Sequence, residues 1–419
     1  MKVLLISANT ERITMQTVPL GLALVSAATK QAGHEVAFLD LLSAPDPRTA
    51  IQKAVAAGRP DVIGISVRNI DDQSMQEPRF LLGKAKEVVD ACRAMSRAPI
   101  VLGGAGYSIF PVEALAYLGA DFGVRGDGEA AFPALLARLG KGLDPRGIPG
   151  VHAAGDAVDA GRASVDELDD LPLWDEALAT CADQGSEDTW MPVQSRRGCP
   201  NDCSYCSTFQ IQGRPIRCRS PRLVAEAVAR AAGLGFRRFY FVDNSFNIPE
   251  EHALELCRLL KDAAPGIAWR CILYPHAGSE ELVAAMAEAG CAEVSLGFES
   301  GSAGVLREMN KRFSPRDVRL VSERLAALGI RRFGFLLLGG PGETRETVEE
   351  SLAFAHSLDL ESLRITVGIR IYPGTPLARR AVAEGVIASE SELLVPRFYV
   401  APGLEPWIYE RTGTGIVTR

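Results

Sequence analysis

Cys199, Cys203 and Cys206 fall within eight residues, in Arg197-Gly-Cys-Pro-Asn-Asp-Cys-Ser-Tyr-Cys-Ser207. Gly198, Pro200 and the turn-forming pair Asn201-Asp202 make this stretch a loop, so its sulfurs can turn toward one centre. A cubic [4Fe–4S] cluster normally takes four thiolates. Three would leave one iron open to an outside ligand, and an open position turns a metal centre into a reagent. A zinc knot is one alternative, with Cys218 or a distant His as fourth ligand, although zinc sites usually come as paired Cys-x2-4-Cys or Cys/His couples. An iron–sulfur carrier is another, and it would complete its cluster with a fourth Cys, for which Cys218 is the nearest candidate. Cys92, Cys181, Cys257, Cys271 and Cys291 read as small core fillers.

The elements that must position this loop alternate between strand and helix. Residues 1–145 contain strand candidates at Lys2–Ser7, Glu35–Asp40, Val62–Ser66, Ile100–Gly103 and Phe122–Val124. They are rich in Val, Ile and Leu and lack period-two alternation, as strands buried on both faces should. With helical stretches between them they predict a doubly wound parallel sheet, whose ligands bind outside the carboxyl ends of the strands. The loops there are Ala8–Pro19, Arg68–Gln73, Gly103–Gly106 and Gly126–Glu129. Residues 146–190 lose the rhythm, and the acidic, Pro-bearing run Asp166–Asp175 reads as a linker packed by Trp174.

A second βα series occupies residues 191–378. Leu234-Gly-Phe-Arg-Arg-Phe239 and Leu328-Gly-Ile-Arg-Arg-Phe333 are near copies, each a helix stop followed by a buried strand. Six strands are expected: Pro192–Arg196, Arg238–Val242, Ala268–Leu273, Glu293–Gly297, Arg332–Leu338 and Leu363–Ile371. Six βα units curve toward a barrel but fall short of the eight that close one. Residues 379–419 form a short C-terminal segment whose Phe398-Tyr-Val and Trp407-Ile-Tyr409 are apolar enough to pack, while 412–419 should fray.

Four polar or glycine-rich turns fall at carboxyl ends of these strands: Asp243–Asn247, Glu299–Gly301, Leu338–Glu343 and Tyr372–Pro376. Glu299 is placed to accept hydrogen bonds from a ribose diol or an ammonium group. Gly339-Gly340 would let the backbone approach an extended ligand. Asn310-Lys-Arg312 offers an Arg fork for a carboxylate. Trp269, Tyr274, His276, Arg370 and Tyr372 lie near strand ends and are candidates for lining a substrate pocket, with core packing as the other reading of the aromatics.

The Cys-x3-Cys-x2-Cys spacing, with Tyr205 before the last Cys, resembles the signature of the radical S-adenosylmethionine (SAM) enzymes. The Gly297-Phe-Glu-Ser300 turn, Met309-Asn-Lys-Arg312, Gly340-Pro-Gly-Glu-Thr344 and Tyr372-Pro-Gly-Thr-Pro376 are similar to that family in order as well as type. The resemblance implies that Cys199, Cys203 and Cys206 hold a [4Fe–4S] cluster whose open iron chelates SAM. It also implies SAM contacts at Tyr205, Asp243, Glu299, Arg312 and Gly339. The preceding α/β domain, through Val18–Ala28, Gly33-His-Glu-Val36, Val101–Gly106 and Val124–Glu129, resembles the cobalamin-binding domain of the cobalamin-dependent class. Cobalamin contacts would then involve Arg68, Asn69, Gly103, Gly104, Gly126 and Glu129. No Asp-x-His-x-x-Gly stretch is present, and His34 precedes a strand, at its amino end. The class commonly lacks that motif, leaving cobalt without a protein imidazole. The expected fold is α/β: an N-terminal doubly wound, cobalamin-binding-like sheet, a partial (β/α)6 radical SAM barrel and a short tail.

The expected activity is that of a cobalamin-dependent methyltransferase acting on an unactivated carbon of a small molecule. In such an enzyme an adenosyl radical takes hydrogen from the substrate and methylcobalamin supplies the methyl. Rearrangement, cyclisation or dehydration by the same radical, with or without cobalamin, is the rival, ahead of an iron–sulfur or corrinoid carrier. Transfer of a methylthio group to tRNA is disfavoured, because only Cys92 and Cys181 precede the triplet and no basic RNA-binding tail occurs. A net charge of −7 argues against bulk nucleic-acid binding. Nine cysteines without an even framework argue for a reducing compartment, so a cytoplasmic protein is expected. No apolar stretch reaches membrane-spanning length. Arg196, Arg197, Arg214, Arg217, Arg219 and Arg222 crowd the cysteines against a single acid, Asp202. They would ease electron entry into an anionic cluster or dock an acidic electron donor such as a flavodoxin or ferredoxin. A solvated basic face is the plainer reading of the same residues.

Overall fold

Unbroken apolar runs in the N-terminal half form strands buried on both faces, with Ile6, Val62, Ile63 and Ile100 all at 0% exposure. The computed structural model describes residues 1–11, 18–173, 189–276 and 278–412, and the backbone of 416–418. The chain divides into two units. The first is Met1–Asp72 with Arg79–Trp190 and Ser207–Gly213; the second is Gln73–Pro78 with Met191–Cys206 and Arg214–Arg419.

In the first unit the strands are β1 Lys2–Ser7, β2 Glu35–Asp40, β3 Val62–Ser66, β4 Ile100–Gly103, β5 Phe122–Val124 and β6 Val151–Ala153. Their order is β2-β1-β3-β4-β5-β6, parallel except for the antiparallel pair β5/β6. Strand β6 comes from residues expected to be linker, where Val151 and His152 are buried. Helices Leu20–Gln31, Pro47–Gly58, Leu82–Met95 and Gly128–Leu139 separate the strands. The helix at Pro47 begins where its chemistry dictates: Asp46 accepts from the N–H groups of Arg48 and Thr49, and Pro47 needs no donor partner. Because β1 lies between β2 and β3, the chain reverses its winding there, and the loops after β1 and β3 part to leave a crevice. Trp174 and Cys181 lie outside the described residues.

The second unit has β7 Met191–Val193, the ribbon β8 Arg196–Arg197 with β9 Arg217–Cys218, then β10 Arg238–Phe241, β11 Ala268–Leu273, β12 Cys291–Glu299, β13 Arg331–Leu338 and β14 Ser362–Val367. A second ribbon pairs β15 Ile369–Arg370 with β16 Phe398–Tyr399, and β17 is Ile416–Thr418. The main sheet runs β17-β14-β13-β12-β11-β10-β7, with six parallel strands in chain order and β17 antiparallel on β14. Its two edges do not meet, which is the expected partial barrel. Three details differ from the sequence expectation, the first being that the sixth strand, expected to run to Ile371, ends at Val367 and leaves Ile369–Arg370 to the second ribbon. The first strand stops at Val193 instead of Arg196, because the N–H groups of Ser195 and Arg196 turn to the Asp243 carboxylate. Within the stretch expected to fray, residues 416–418 form β17 and pair with Ser362–Arg364, a long-range partner that local composition cannot show. No described helix is long and apolar enough to cross a membrane.

Candidate functional site at the cysteine loop

The cysteine loop leaves β7 at the carboxyl end of the second sheet. Gly198 gives it its first bend at φ +93, where a Cβ would strike the Pro215 carbonyl. Ser204 then pins the loop to the barrel: its N–H donates to Met309 O at 3.0 Å and its carbonyl accepts from Leu377 N at 2.9 Å. Cys206 N–H closes a turn on Cys203 O at 3.3 Å. The three thiols are partly exposed and lie within one another's electrostatic reach. Burial pushes Cys199 and Cys203 up, while the Lys311 ammonium draws both back toward the thiolate. Among the described residues no three His, Cys, Asp or Glu side chains are gathered closely enough for one metal ion. A cuboidal cluster takes its thiolates at separate iron corners and needs a wider ring. The residues fit such a group in one respect: two buried donors at this loop, Arg196 Nε and Ser204 Oγ, have no partner among the described residues.

Beside the cysteines stands a buried ion pair. Lys311 Nζ lies 3.2 Å from Glu299 Oε1, with the side chains 6% and 14% exposed. The same ammonium sits 5.2 Å from the Tyr205 ring centroid. Burial would lower the Lys311 amine, but Tyr205, Glu299 and Cys203 outweigh it and hold it well above its usual value. The Tyr205 hydroxyl is pushed up, chiefly by burial. Glu299 holds a left-handed backbone, φ +61, at an irregularity in the β12/β13 register. For a non-glycine residue that conformation costs about 1–3 kcal/mol and concentrates at functional sites. Its neighbours hold it there: Ser300 Oγ and Gly301 N both bond Ser351 Oγ, at 2.9 and 3.0 Å.

Of the five residues expected near SAM, Tyr205 and Glu299 are therefore brought together, and with them Lys311, which its residue type alone does not single out. Asp243 is 1% exposed. Its Oδ1 accepts from Ser195 N at 3.0 Å and Arg196 N at 3.1 Å, and its Oδ2 from Ser195 Oγ at 2.6 Å. It shapes the entry to the cysteine loop. Arg312 points to the surface, 59% exposed, and its guanidinium bonds Asp202 at 3.2 Å. Asn310 causes the swap: with φ +54 it turns the chain after helix Ala303–Glu308, so Lys311 faces inward. Gly339 has both backbone groups engaged, its N–H with Glu343 Oε2 and its carbonyl with Ala401 N at 2.9 Å.

Glu343, inside the glycine-rich turn after β13, is a further addition. It is 4% exposed, one oxygen accepts from Gly339 and Gly340, and Oε1 has no partner among the described residues. Burial pushes its carboxyl up from 4.5 to about 7, against the two N–H bonds that pull it down. Its folded-state value thus exceeds its unfolded one, so the folded chain binds this proton more tightly. The resulting stability is fully present below 4.5 and lost as pH rises through about 7. The step is about 3 kcal/mol at 1.36 kcal/mol per unit. Glu343→Gln should abolish it, so the melting temperature of wild type relative to Glu343→Gln should fall between pH 5 and pH 8. A difference that stays flat with pH would contradict this.

The arginine cluster is not a solvated basic face. Arg196, Arg197, Arg217 and Arg219 are 2%, 6%, 8% and 2% exposed; only Arg214 and Arg222 face solvent, and Arg222 pairs with Glu226. The β8/β9 ribbon folds the others inward. Among the pocket candidates, Trp269 is core, at 0% exposure between Phe241 and Phe246 with its indole N–H on Ala289 O. Tyr274 sits at the site, where its hydroxyl accepts from Arg312 N at 2.9 Å. Arg370 stacks 5.1 Å from the Tyr372 ring centroid, and Tyr372 Oη accepts from Gln73 Nε2 at 2.9 Å.

In the first unit a shallow cleft opens at the carboxyl ends of β1 and β3, lined by Asn9, Glu11, Val67, Arg68, Asn69 and Lys84 among others. This is the crevice that the reversed strand order creates. Arg68 and Asn69 fall in it as expected. Gly103, Gly104, Gly126 and Glu129 are not among its lining residues. Gly104 lies beneath the β3 loop at φ +97, where a Cβ would meet Val67 O at 2.6 Å. Gly126 packs against Ala163, and Asp127 accepts from Val165 N at 2.9 Å, so that loop braces the end of its own unit. His34 sits before β2 with Nδ1 3.3 Å from the N-terminal amine, at the amino end of the sheet. Gly104→Ala should lower the unfolding free energy by about 1–3 kcal/mol through the forced positive φ and the clash. A denaturant titration matching wild type would contradict that packing.

Residues 193–355 match the model of the Radical SAM superfamily and residues 6–136 that of the B12 binding domain. The chain is 26% identical to the uncharacterized methyltransferase PH0819 of Pyrococcus horikoshii, over 92% of this chain and 84% of that one. It is 25% identical to a tryptophan 2-C-methyltransferase of Streptomyces laurentii, over 88% of this chain and 73% of the relative. Its fold resembles that of the radical SAM methyltransferase TsrM from Kitasatospora setae, solved with cobalamin and a [4Fe–4S] cluster bound. The TM-score there is 0.85 at 23% identity, with 96% of this chain and 88% of the other covered. A B12-binding domain with its switch-point cleft, followed by a partial barrel with a three-cysteine loop, makes this chain a member of the cobalamin-dependent radical SAM enzymes.

Proposed function

We propose that the protein transfers a methyl group from SAM to a carbon of a small molecule, the unactivated carbon of the sequence expectation included. The observation that carries this reading is that one chain holds both a three-thiol loop with an ion pair beside it and a corrinoid-type crevice at β1/β3. When bound, the [4Fe–4S] cluster supplies the electron for SAM cleavage and the corrinoid supplies a methyl carrier. The rest is the protein's part. Cys199, Cys203 and Cys206 would hold the cluster through their three thiolates. Lys311 would face the SAM carboxylate and Glu299 its amino group or ribose diol, each in a site where burial strengthens the attraction. Tyr205 stacks on the adenine side. Asp243 shapes the first turn of the cysteine loop, and Arg312 with Asn310 clamps it at Asp202 from outside. Gly339 lends backbone close to the nucleoside. Arg68 and Asn69 line the crevice that takes the corrinoid; Gly103, Gly104, Gly126 and Glu129 stand outside that lining, at or after the ends of β4 and β5, and would meet the corrinoid only beyond it. The partners are a small-molecule substrate and a low-potential electron donor of the flavodoxin or ferredoxin type, without nucleic acid, in the cytoplasm.

The test is anaerobic reconstitution with iron, sulfide and hydroxocobalamin, followed by metal counting and incubation with methyl-labelled SAM and a low-potential chemical reductant, which takes Co(III) to the Co(I) that a sulfonium methyl can alkylate. Four irons and one cobalt per chain, with label passing to the corrinoid, support the reading. Iron without cobalt would overturn methyl transfer and favour radical rearrangement.

A further inference from the structure

Two hydrogen-bond donors at the cysteine loop are buried without an acceptor among the described residues: the Nε–H of Arg196 and the Oγ–H of Ser204. Their residues are 2% and 5% exposed. Orphaned buried donors are rare in native proteins, and a pair of them on one short segment points to a group that completes them. The Arg196 side chain and the Ser204 backbone are both held in place. Arg196 is fixed by its other nitrogens, one donating to Gly198 O at 3.5 Å and the other to Ser245 O. The Asp243 carboxylate nearby is taken by Ser195 and by the Arg196 backbone, so the guanidinium makes no ion pair among the described residues. Ser204 stands between Cys203 and Tyr205 with both its backbone groups bonded to the barrel, at Met309 and Leu377.

Guanidinium cannot shed its proton in a protein, so its Nε–H requires an acceptor. The acceptors that the proposed function would bring here are the anionic sulfurs of the cluster. Arg196 is already within electrostatic reach of Cys199 and Cys218. Hydrogen bonds to cluster sulfurs, and positive charge beside them, stabilise the reduced state, which carries one more negative charge.

We propose that Arg196 Nε–H and Ser204 Oγ–H donate to cluster sulfurs and raise the reduction potential. The step concerned is the one-electron reduction of the cluster by the low-potential donor. This inference rests on the cluster reading and goes beyond it, since it assigns the tuning of that centre to two residues outside the ligand set.

The experiment is an EPR-monitored titration with dithionite and redox mediators on the full, anaerobically reconstituted chain, comparing wild type with Ser204→Ala and Arg196→Lys. Each variant should disfavour the reduced cluster about tenfold, a midpoint about 59 mV more negative for one electron. Iron per chain should stay at the wild-type count. Deuterium exchange should also reveal a solvent-derived coupling to the reduced cluster that Ser204→Ala loses. If Arg196→Lys sheds iron, Ser204→Ala decides alone. Wild-type midpoints in an iron-replete Ser204→Ala overturn the proposal and leave the cluster reading standing. A wild-type protein that loads no iron overturns both.

Discussion

Cys203→Ser, like Cys199→Ser or Cys206→Ser, leaves a protein that no longer retains its iron after anaerobic reconstitution, while Cys218→Ala keeps it. Each of the three thiolates holds one corner of a cuboidal cluster, and serine offers a harder oxygen that stays protonated near neutral pH. No neighbouring sulfur can take over. Cys218 lies on β9 opposite Arg196, in the ribbon and not in the loop, and burial pushes its thiol up. SAM turnover in the serine variants should fall by about a thousandfold or more, about 4 kcal/mol of transition-state stabilisation. Iron counts and visible absorbance report the first effect, and SAM consumption the second. A serine variant with wild-type iron and turnover would remove the basis for the site. Loss of iron from Cys218→Ala would point to a four-thiolate carrier instead.

Features set by local sequence are legible in the order of residue types alone. The five N-terminal parallel strands lie at their expected positions; β1, β3 and β4, covered on both faces, leave unbroken apolar runs, and only the edge strand β2 is without a buried residue. The cysteine loop is legible because its chemistry is written in spacing. What escapes is decided by partners far away in sequence. Strand β7 is cut short by Asp243, 48 residues beyond Ser195. Strand β17 exists only through pairing with β14, and β6 through pairing with β5. Six arginines in a short stretch read as a charged face, yet four are buried because the β8/β9 ribbon turns them inward. Lys311 and Arg312 are adjacent cations, and nothing in their types says which one faces the site. The left-handed turn at Asn310 decides it. Glu299 itself stands out because a carboxylate at the end of a barrel strand has few structural excuses.

Lys311→Met should damage the protein far more than Arg312→Ala, although the sequence favours the arginine. Removing one partner of a buried ion pair leaves the other charge without compensation, which costs about 3–5 kcal/mol. Glu299, 14% exposed, retains a little solvent contact, so a loss of about 3 kcal/mol is expected in denaturant unfolding. Arg312 and Asp202 form a surface pair, 59% and 49% exposed, worth about 1 kcal/mol or less. The double variant Glu299→Gln, Lys311→Met removes both charges and should recover part of the stability, which marks the loss as one of pairing and not of packing. SAM affinity separates stability from function. It should fall about tenfold or more in Lys311→Met, through a lost charge-assisted bond of about 1.5–3 kcal/mol, and should not return in the double variant. In Arg312→Ala it should change little. If the two single variants bind SAM and unfold alike, then Lys311 is an ordinary buried lysine and the ion pair beside the cysteines is not where SAM is gripped.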